Sequence, residues 1–179
     1  VDLSIAACRS IERILGDAAL GSLQLEEIDV VEVVRDAVAS ARLGGARLRT
    51  ELDSDVPHVV ADRIRLRQAF DNLVHNAVAA AGTDGEIVMG VRATEHAVVV
   101  TVADDGSGIP VVDHARIFEP GVRLDSTEEG SGLGLAIVRA VAEAHGGTAT
   151  VESAPGQGAA FSVALPIGGD QPAGTASRT

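Results

Sequence analysis

The chain has 179 residues, of which 46% are hydrophobic and only 2% aromatic, and its formal net charge is −12. This length suits one domain with an appendage, and the acidic balance argues against binding to nucleic acid or to an anionic membrane surface. The sequence contains no lysine, so any phosphate site must rely on arginine or on backbone geometry. The one cysteine, Cys8, excludes an internal disulfide and a cysteine-cluster metal site.

No apolar run reaches the roughly 20 residues that a membrane-spanning helix needs, so we expect a cytoplasmic location without direct membrane contact. The chain begins at Val1 and its only methionine is Met89, which indicates a piece of a longer protein. Any membrane anchor of that protein would then lie outside this piece.

The first half of the chain alternates helical and strand patterns. Apolar spacing predicts a helix over residues 3–20, which we interpret as an appendage to a domain that begins near residue 24. A short strand over 23–28 follows, then a helix over about 30–43 with Asp29 as N-cap, Glu32 as its capping-box partner and Gly44-Gly45 as its end. Strands over 46–52 and 56–60 and a long helix over about 63–81, capped by Asp62 and closed by Gly82, come next.

The second half continues with two strands, a long loop and a closing hairpin. Strands are predicted over 86–93 and 97–104, a lid-like loop over 105–131, a helix over about 133–145, and strands over 148–153 and 159–165. Residues 167–179 are expected to be a disordered tail. The fold class is therefore predicted as α+β: a two-layer sandwich of a mixed sheet with about five strands on one face of about three helices, plus the N-terminal helix.

Asn72 and Asn76 lie four residues apart in the long helix, which puts both amides on one face. An amide offers a carbonyl oxygen that suits Mg²⁺ and an NH₂ group that can donate to phosphate. Two asparagines alone are more often part of a solvated polar face.

Asp104 ends a strand and begins the turn Asp-Asp-Gly-Ser-Gly, in which Gly106 and Gly108 permit close approach of the backbone to a ligand. A carboxylate in this position can accept a hydrogen bond from an exocyclic amine such as that of adenine. An ordinary surface turn is the alternative.

Gly130, Gly132 and Gly134 form a Gly-x-Gly-x-Gly loop that leads directly into a helix. Backbone N–H groups and the helix N-terminus can face a triphosphate there. The loop is neither a dinucleotide fingerprint nor a Walker A loop, because the βαβ start and the Gly-Lys-Ser/Thr end are both absent.

In this order and spacing the motifs resemble those of the ATP-binding catalytic domain of sensor histidine kinases, in the superfamily shared with gyrase, Hsp90 and MutL. The resemblance covers about residues 24–166. It includes Ile117-Phe-Glu-Pro120, Ala144-His145-Gly-Gly147 and Pro155-Gly-Gln-Gly158, which match the family's F-box, closing helix and last hairpin.

The resemblance implies ATP and Mg²⁺ as ligands and assigns each site residue. Asn76 matches the Mg²⁺-binding Asn, Asn72 the Asn near the phosphates, and both are the expected catalytic positions. Asp104 matches the adenine-binding Asp. The other implied nucleotide-binding positions are Gly106, Gly108, Ile109, Phe118, Arg123, Gly130, Ser131, Gly132, Leu133, Gly134 and Leu135. Phe118 would anchor the lid, and Arg123 is either a phosphate contact or a solvated lid residue.

Hydrolytic members of the superfamily carry a Glu where this chain has Asn72, which favours phosphoryl transfer over hydrolysis. Asp71 is adjacent but points about 100° away around the helix, so we discount it as a base. Two departures stand out: Ala79-Ala80 replaces a Lys-Tyr pair found in many kinases, and Ala159-Ala160 stands where Ser or Thr is usual.

The resemblance also implies the partners: a cognate response regulator, and a second copy bound through a helical hairpin in the full-length protein. None of the histidines lies in an acceptor motif, so we interpret residues 1–23 as the remnant of that hairpin, with the acceptor His outside the chain. His75 is expected to be exposed or capping, and His145 to be a cation at a helix end. The alternatives are an anti-sigma-type serine kinase and a degenerate nucleotide-binding interaction module.

Overall fold

The computed structural model describes residues 22–124 and 131–168. The predicted helix over 3–20, the glycine Gly130 and all but the first two residues of the predicted tail lie outside the described residues.

Three α-helices and seven strands make up the described part of the chain. In chain order they are β1 (Glu26–Ile28), α1 (Val30–Ser40), β2 (Arg47–Leu52), β3 (Val59–Ala61), α2 (Arg63–Ala81), β4 (Glu86–Ala93), β5 (Ala97–Asp104), α3 (Gly134–Ala144), β6 (Thr148–Ser153) and β7 (Ala159–Pro166).

Five of the strands form one mixed sheet in the order β2-β4-β5-β7-β6. The pair β2–β4 is parallel and the other pairs are antiparallel. Strands β1 and β3 form a separate antiparallel ribbon. The predicted α+β sandwich with a mixed five-stranded sheet is confirmed.

The core lies between the sheet and the three helices. Alternate residues of β5 are fully buried on the helix side, namely Val98, Val100 and Val102, as expected for a sheet that is covered on one face. The helices contribute aliphatic stripes, and Phe70 of α2 is the largest fully buried side chain. A core with so few aromatic residues depends on close packing of Val, Leu, Ile and Ala.

Two predicted boundaries differ from the structure for local reasons. Helix α1 ends at Ser40 rather than near 43, because Ala41 adopts an extended conformation and its N–H bonds to Val38 O. Gly44-Gly45 instead forms the turn into β2, with positive φ at both residues. Strand β3 begins at Val59 rather than at 56, since Pro57 lacks the N–H that a strand pairing needs.

The helices begin and end on side-chain and backbone caps. Asp29 Oδ1 accepts from Val31 N at 2.8 Å, whereas the predicted capping-box partner Glu32 lies 3.5 Å from Arg63 of α2. Helix α3 ends in a reverse turn in which Gly146 N donates to Glu143 O and Gly147 N to Ala142 O, the hydrogen-bond pattern of a Schellman motif.

The described part of the predicted lid-like loop after β5 has local structure. It contains two short 3-10 turns, Val111–Asp113 and Arg116–Phe118. Phe118 is buried and packs edge-on against Phe161 of β7, with ring centroids 6.2 Å apart. Within the ranges given above, none of the helices combines the length and apolar character needed to cross a bilayer.

Candidate functional site

Helices α2 and α3 pack along each other and bring the two predicted asparagines to the start of α3. An ideal Cβ added to Gly134 would lie 3.7 Å from Asn76 Oδ1 and 3.8 Å from Asn72 Cβ. The first residue of α3 therefore faces both amides across a narrow gap. Any side chain larger than that Cβ would occupy the gap, and glycine keeps it open.

The side-chain amide of Asn72 contains a buried donor without an acceptor. Its Nδ2 is the one buried side-chain N or O atom without a hydrogen-bond partner among the described residues. A buried donor left unpaired costs about 1–3 kcal/mol. Such a donor, beside a gap that opens on a helix N-terminus, fits an anionic oxygen supplied from outside the chain.

The start of α3 offers further donors to the same gap. Its N-cap residue, Leu133, makes no side-chain capping hydrogen bond, so the first N–H groups of the helix lack the usual side-chain acceptor. The two neighbours Ser131 and Leu135 are exposed and half-buried respectively. The helix dipole adds partial positive charge at this end, which suits a phosphate.

Asp104 lies at the end of β5 and is 8% exposed. Its Oδ1 accepts a hydrogen bond from Gly106 N at 2.9 Å. Burial raises the pKa of Asp104, and hydrogen bonds from the backbone N–H groups of Gly106 and Ala159 offset part of that effect. A desolvated carboxylate is a strong acceptor for a ligand amine.

The turn after Asp104 is joined to the β6–β7 hairpin by backbone hydrogen bonds. Gly156 N donates to Ser107 O at 2.6 Å and Gly158 N to Gly106 O at 3.1 Å. The contact requires glycine at Gly158, where φ is +71° and a Cβ would lie 1.9 Å from Asp104 O. The glycine-rich turn and the Pro-Gly-Gln-Gly hairpin are therefore one structural unit around Asp104.

Ser153 is a member of this unit that the sequence analysis missed. Its hydroxyl accepts from Ile109 N at 2.8 Å and donates to Gly158 O at 2.6 Å. It thereby fixes the backbone of Ile109, one of the predicted nucleotide-binding positions. A single serine at the end of a strand has no spacing pattern that would have revealed it.

The other predicted lid residues are not all near the asparagines. Gly132 has positive φ, and its carbonyl accepts from Gly121 N at 3.0 Å, which ties the glycine loop to the start of the lid. Arg123 is exposed. Phe118 is buried against Phe161, so its surroundings are those of a core residue.

Asp71 lies on a different side of α2 from the asparagine pair. Its Oδ1 accepts from Arg67 Nε at 2.8 Å, and the same arginine also bonds the Ser40 hydroxyl of α1. The carboxylate is therefore held in an ion pair on the α1 side of the helix. This placement agrees with its exclusion as a base.

The expectation that His145 is a cation at a helix end is wrong. The ring is 2% exposed, and its Nε2 lies 2.9 Å from the backbone N of Asp62, which must donate to it. The other nitrogen, Nδ1, lies 2.7 Å from Val141 O and must carry the proton. With one donor and one acceptor facing it, the imidazole is neutral.

Comparison with known proteins agrees with this architecture. The sequence profile described as "Histidine kinase-, DNA gyrase B-, and HSP90-like ATPase" matches residues 61–169. The alginate biosynthesis sensor protein KinB of Pseudomonas aeruginosa is 34% identical over 81% of this chain and 25% of its own length. The mycobacterial sensor histidine kinase MprB superposes with a TM-score of 0.71 and 27% identity, over 79% of this chain and 97% of that one. Full-length ShkA, solved in complex with AMPPNP, gives a TM-score of 0.75 and 32% identity over 90% of this chain and 36% of that one.

The profile spans more than half of the chain, so the chain belongs to the histidine kinase-, gyrase B- and HSP90-like ATPase family. Its sheet and helices form the ATP-binding catalytic domain of the histidine kinase type. The chain spans well under half of the length of the curated sensor kinases that it matches.

Proposed function

We propose that this domain serves a two-component sensor histidine kinase and donates the γ-phosphoryl group of ATP to a histidine outside the chain. The observation that supports it most directly is the gap between α2 and the start of α3. There Asn76 Oδ1 and the side chain of Asn72, whose buried Nδ2 has no partner, lie beside Gly134 at the N-terminus of α3. These groups suit a triphosphate in the absence of any lysine.

Mg²⁺ is proposed as the accompanying ion, held by the side-chain oxygen of Asn76 together with ATP phosphates. An amide oxygen is a hard ligand, and Mg²⁺ in nucleotide sites commonly keeps few protein ligands. No cluster of three or more His, Cys, Asp or Glu side chains suited to a metal occurs in the described residues, so the phosphates would supply the remaining charge. Bound there, the ion would neutralise charge on the phosphate oxygens.

The base of ATP is proposed to bind at Asp104. The buried carboxylate would accept a hydrogen bond from the exocyclic amine of adenine, and Gly106, Gly108 and Ile109 would form the adjoining wall. The hydrogen bonds of this turn to Ser153 and Gly158 hold the wall in place before a ligand arrives. A preorganised pocket loses little entropy on binding.

Phosphoryl transfer is favoured over hydrolysis because α2, all of which is described, carries no carboxylate on the face of the asparagines. Asn72 cannot act as a base, and Asp71 is engaged by Arg67 on another side of α2. The domain would then act by positioning and by electrostatic stabilisation. We further propose a cytoplasmic location, a response regulator as the downstream partner, and dimerisation of the full-length protein through its helical hairpin.

Calorimetric titration of the chain with ATP, in the presence and absence of Mg²⁺, tests the nucleotide site. We expect Mg²⁺-dependent binding that Asn76→Ala and Asp104→Ala each weaken by about tenfold or more, the effect of losing one charge-assisted contact. His75→Ala is the matched control, since His75 is exposed on the same helix and should leave the affinity unchanged. No binding at millimolar ATP would instead support the degenerate interaction module.

A second experiment tests the acceptor. The chain is mixed with a histidine-bearing hairpin from the full-length protein and with labelled ATP. We expect acid-labile phosphohistidine on the hairpin, and none when the hairpin histidine is replaced by alanine. Phosphoserine on a partner protein would favour the anti-sigma-type serine kinase.

A further inference from the structure

His145 is a buried imidazole that the proposed phosphate chemistry does not use. It occupies the C-terminal end of α3, and its Nε2 accepts from the Asp62 N–H, 83 positions earlier in the chain. Its Nδ1 donates to Val141 O within α3. The ring therefore links the end of α3 to the residue that begins α2.

Asp62 is the second residue of this contact, and we call the pair of His145 and Asp62 the joint. Its Oδ1 accepts from Arg65 N at 3.0 Å and caps α2, while its Oδ2 accepts from Gln24 N at 2.9 Å. Burial alone would raise the pKa of Asp62, but the hydrogen bonds from the backbone N–H groups of Gln24 and Arg65 hold it below its usual value. One residue thus joins the entry of the domain, the start of α2 and the end of α3.

The contact between His145 and Asp62 lies at the start of α2 and the end of α3, whereas the phosphate gap lies between the middle of α2 and the start of α3. Asn72 follows Asp62 by ten residues along α2, and Gly134 precedes His145 by eleven along α3. At 1.5 Å per residue both separations are about 15 Å. His145 and Asp62 therefore connect the two helices about 15 Å from the place where Gly134 faces the asparagines.

We propose that His145 is a positioning residue that sets the spacing between the asparagine pair and the start of α3, and hence the affinity for the phosphates of ATP. This inference rests on the proposed placement of those phosphates between α2 and α3. Loss of the acceptor at Nε2 leaves the Asp62 N–H buried and unpaired, and the end of α3 shifts relative to α2. The base pocket at Asp104 is built from β5 and the β6–β7 hairpin, so it is not directly part of this joint.

Substitution of His145 by Gln, Asn or Phe distinguishes the contributions of its two hydrogen bonds. Gln can place an acceptor where Nε2 lies, Asn can replace only the donor at Nδ1, and Phe removes both while keeping the volume. We expect His145→Asn to weaken binding of ATP roughly tenfold, the effect of one lost buried hydrogen bond, and His145→Phe, which loses both, to weaken it at least as much. His145→Gln should restore most of the affinity.

Comparison of ATP with adenosine provides a readout that a general loss of stability would not produce. In an NMR titration of the whole chain, His145→Phe should weaken ATP but leave adenosine unchanged, because adenosine lacks the phosphates. Leu165→Ala, in the buried interior of β7, is the control for destabilisation, and it should not change the ratio of the two affinities. A long-range nitrogen spectrum of the wild type should also show Nδ1 protonated and Nε2 bare.

Several outcomes would overturn the proposal: unchanged ATP affinity in His145→Phe, equal weakening of ATP and adenosine, or Gln behaving no better than Asn. If the Phe variant does not fold, the Gln and Asn pair decides the question. Failure of the wild type to bind ATP, or indifference to Asn76→Ala, would instead reject the proposed function. The two failures are therefore distinguishable.

Discussion

At the scale of single residues, the candidate site contains groups that are unfavourable for folding. Asn72 buries a donor without a partner, and Asp104 buries a carboxylate whose pKa is raised. Groups of this kind are commonly found where a ligand completes the missing interactions. The residue types and spacing predicted both positions, but not Ser153, whose role arises from contacts with two distant backbone groups.

Asp104→Asn should stabilise the unliganded domain at neutral pH while weakening ATP binding. Because burial raises the pKa of Asp104 above its ordinary value of 3.8, the folded state binds this proton more tightly than the unfolded state does. The carboxylate therefore becomes unfavourable for folding as pH rises through the raised pKa. Thermal unfolding of both proteins should show a gain for the variant at pH 7 that disappears as the pH falls toward about 4.

Glu95→Gln provides the control for this prediction, since the Glu95 side chain is 88% exposed in the β4–β5 turn. Its effect on the unfolding temperature at pH 7 should be small, because substitutions of such exposed side chains change stability little. A variant at Asp104 that is less stable than the wild type at pH 7 would contradict the argument.

At the scale of elements, the helices and strands whose ends carry clear sequence signals were predicted well. The bounds of α2, β4, β5 and β6 agree with the sequence analysis, because caps or turn residues mark where each begins and ends. The end of α1 was misjudged, since Gly44-Gly45 is a stronger stop signal in the sequence than Ala41. His145 was misread because its partner Asp62 is far away along the chain.

Two glycines of the β6–β7 hairpin allow the cost of a left-handed backbone to be measured apart from the cost of steric overlap. Gly156 and Gly158 both have φ above +70°, but a Cβ at Gly156 meets nothing within 4 Å, whereas one at Gly158 would overlap Asp104 O. Gly156→Ala should cost about 1 kcal/mol, the strain of a left-handed alanine. Gly158→Ala should cost at least about 3 kcal/mol, because overlap is added to strain.

Urea unfolding of the two alanine variants measures these costs. ATP affinity should also fall in Gly158→Ala, since the same contact positions the turn after Asp104. Equal losses of stability in both variants would show that the close approach at Gly158 relaxes without consequence.

At the scale of the whole molecule, net charge affects stability but does not determine the fold. The succession of predicted helices and strands indicated the two-layer architecture, and the resemblance of the motifs to a known family agreed with it. Charge predicted no part of the fold. It does bear on stability, because 26 acidic residues face only 14 basic ones, all arginine. Ion pairs such as Arg63–Asp36, at 2.9 Å, compensate locally, and exposed pairs of this kind contribute little each.

Added salt should therefore stabilise the domain. Raising NaCl from about 10 mM to about 150 mM shortens the Debye length from about 30 Å to about 8 Å and screens the self-repulsion of a chain with net charge −12. We expect the thermal midpoint to rise by a few degrees and the association of anionic ATP to become faster. A falling midpoint would mean that the surface ion pairs outweigh the net charge.

The ion pair of Asp71 with Arg67 bears on how long bound ATP stays intact. With that carboxylate engaged beside α1 and an asparagine one turn before Asn76, a water molecule in the cleft meets no carboxylate on that face of α2. If the domain acts as proposed, bound ATP would then leave by dissociation or by phosphoryl transfer rather than by hydrolysis. Under the proposed function, the arrival of an acceptor histidine would therefore set the timing of transfer, and the domain would stay loaded between transfers.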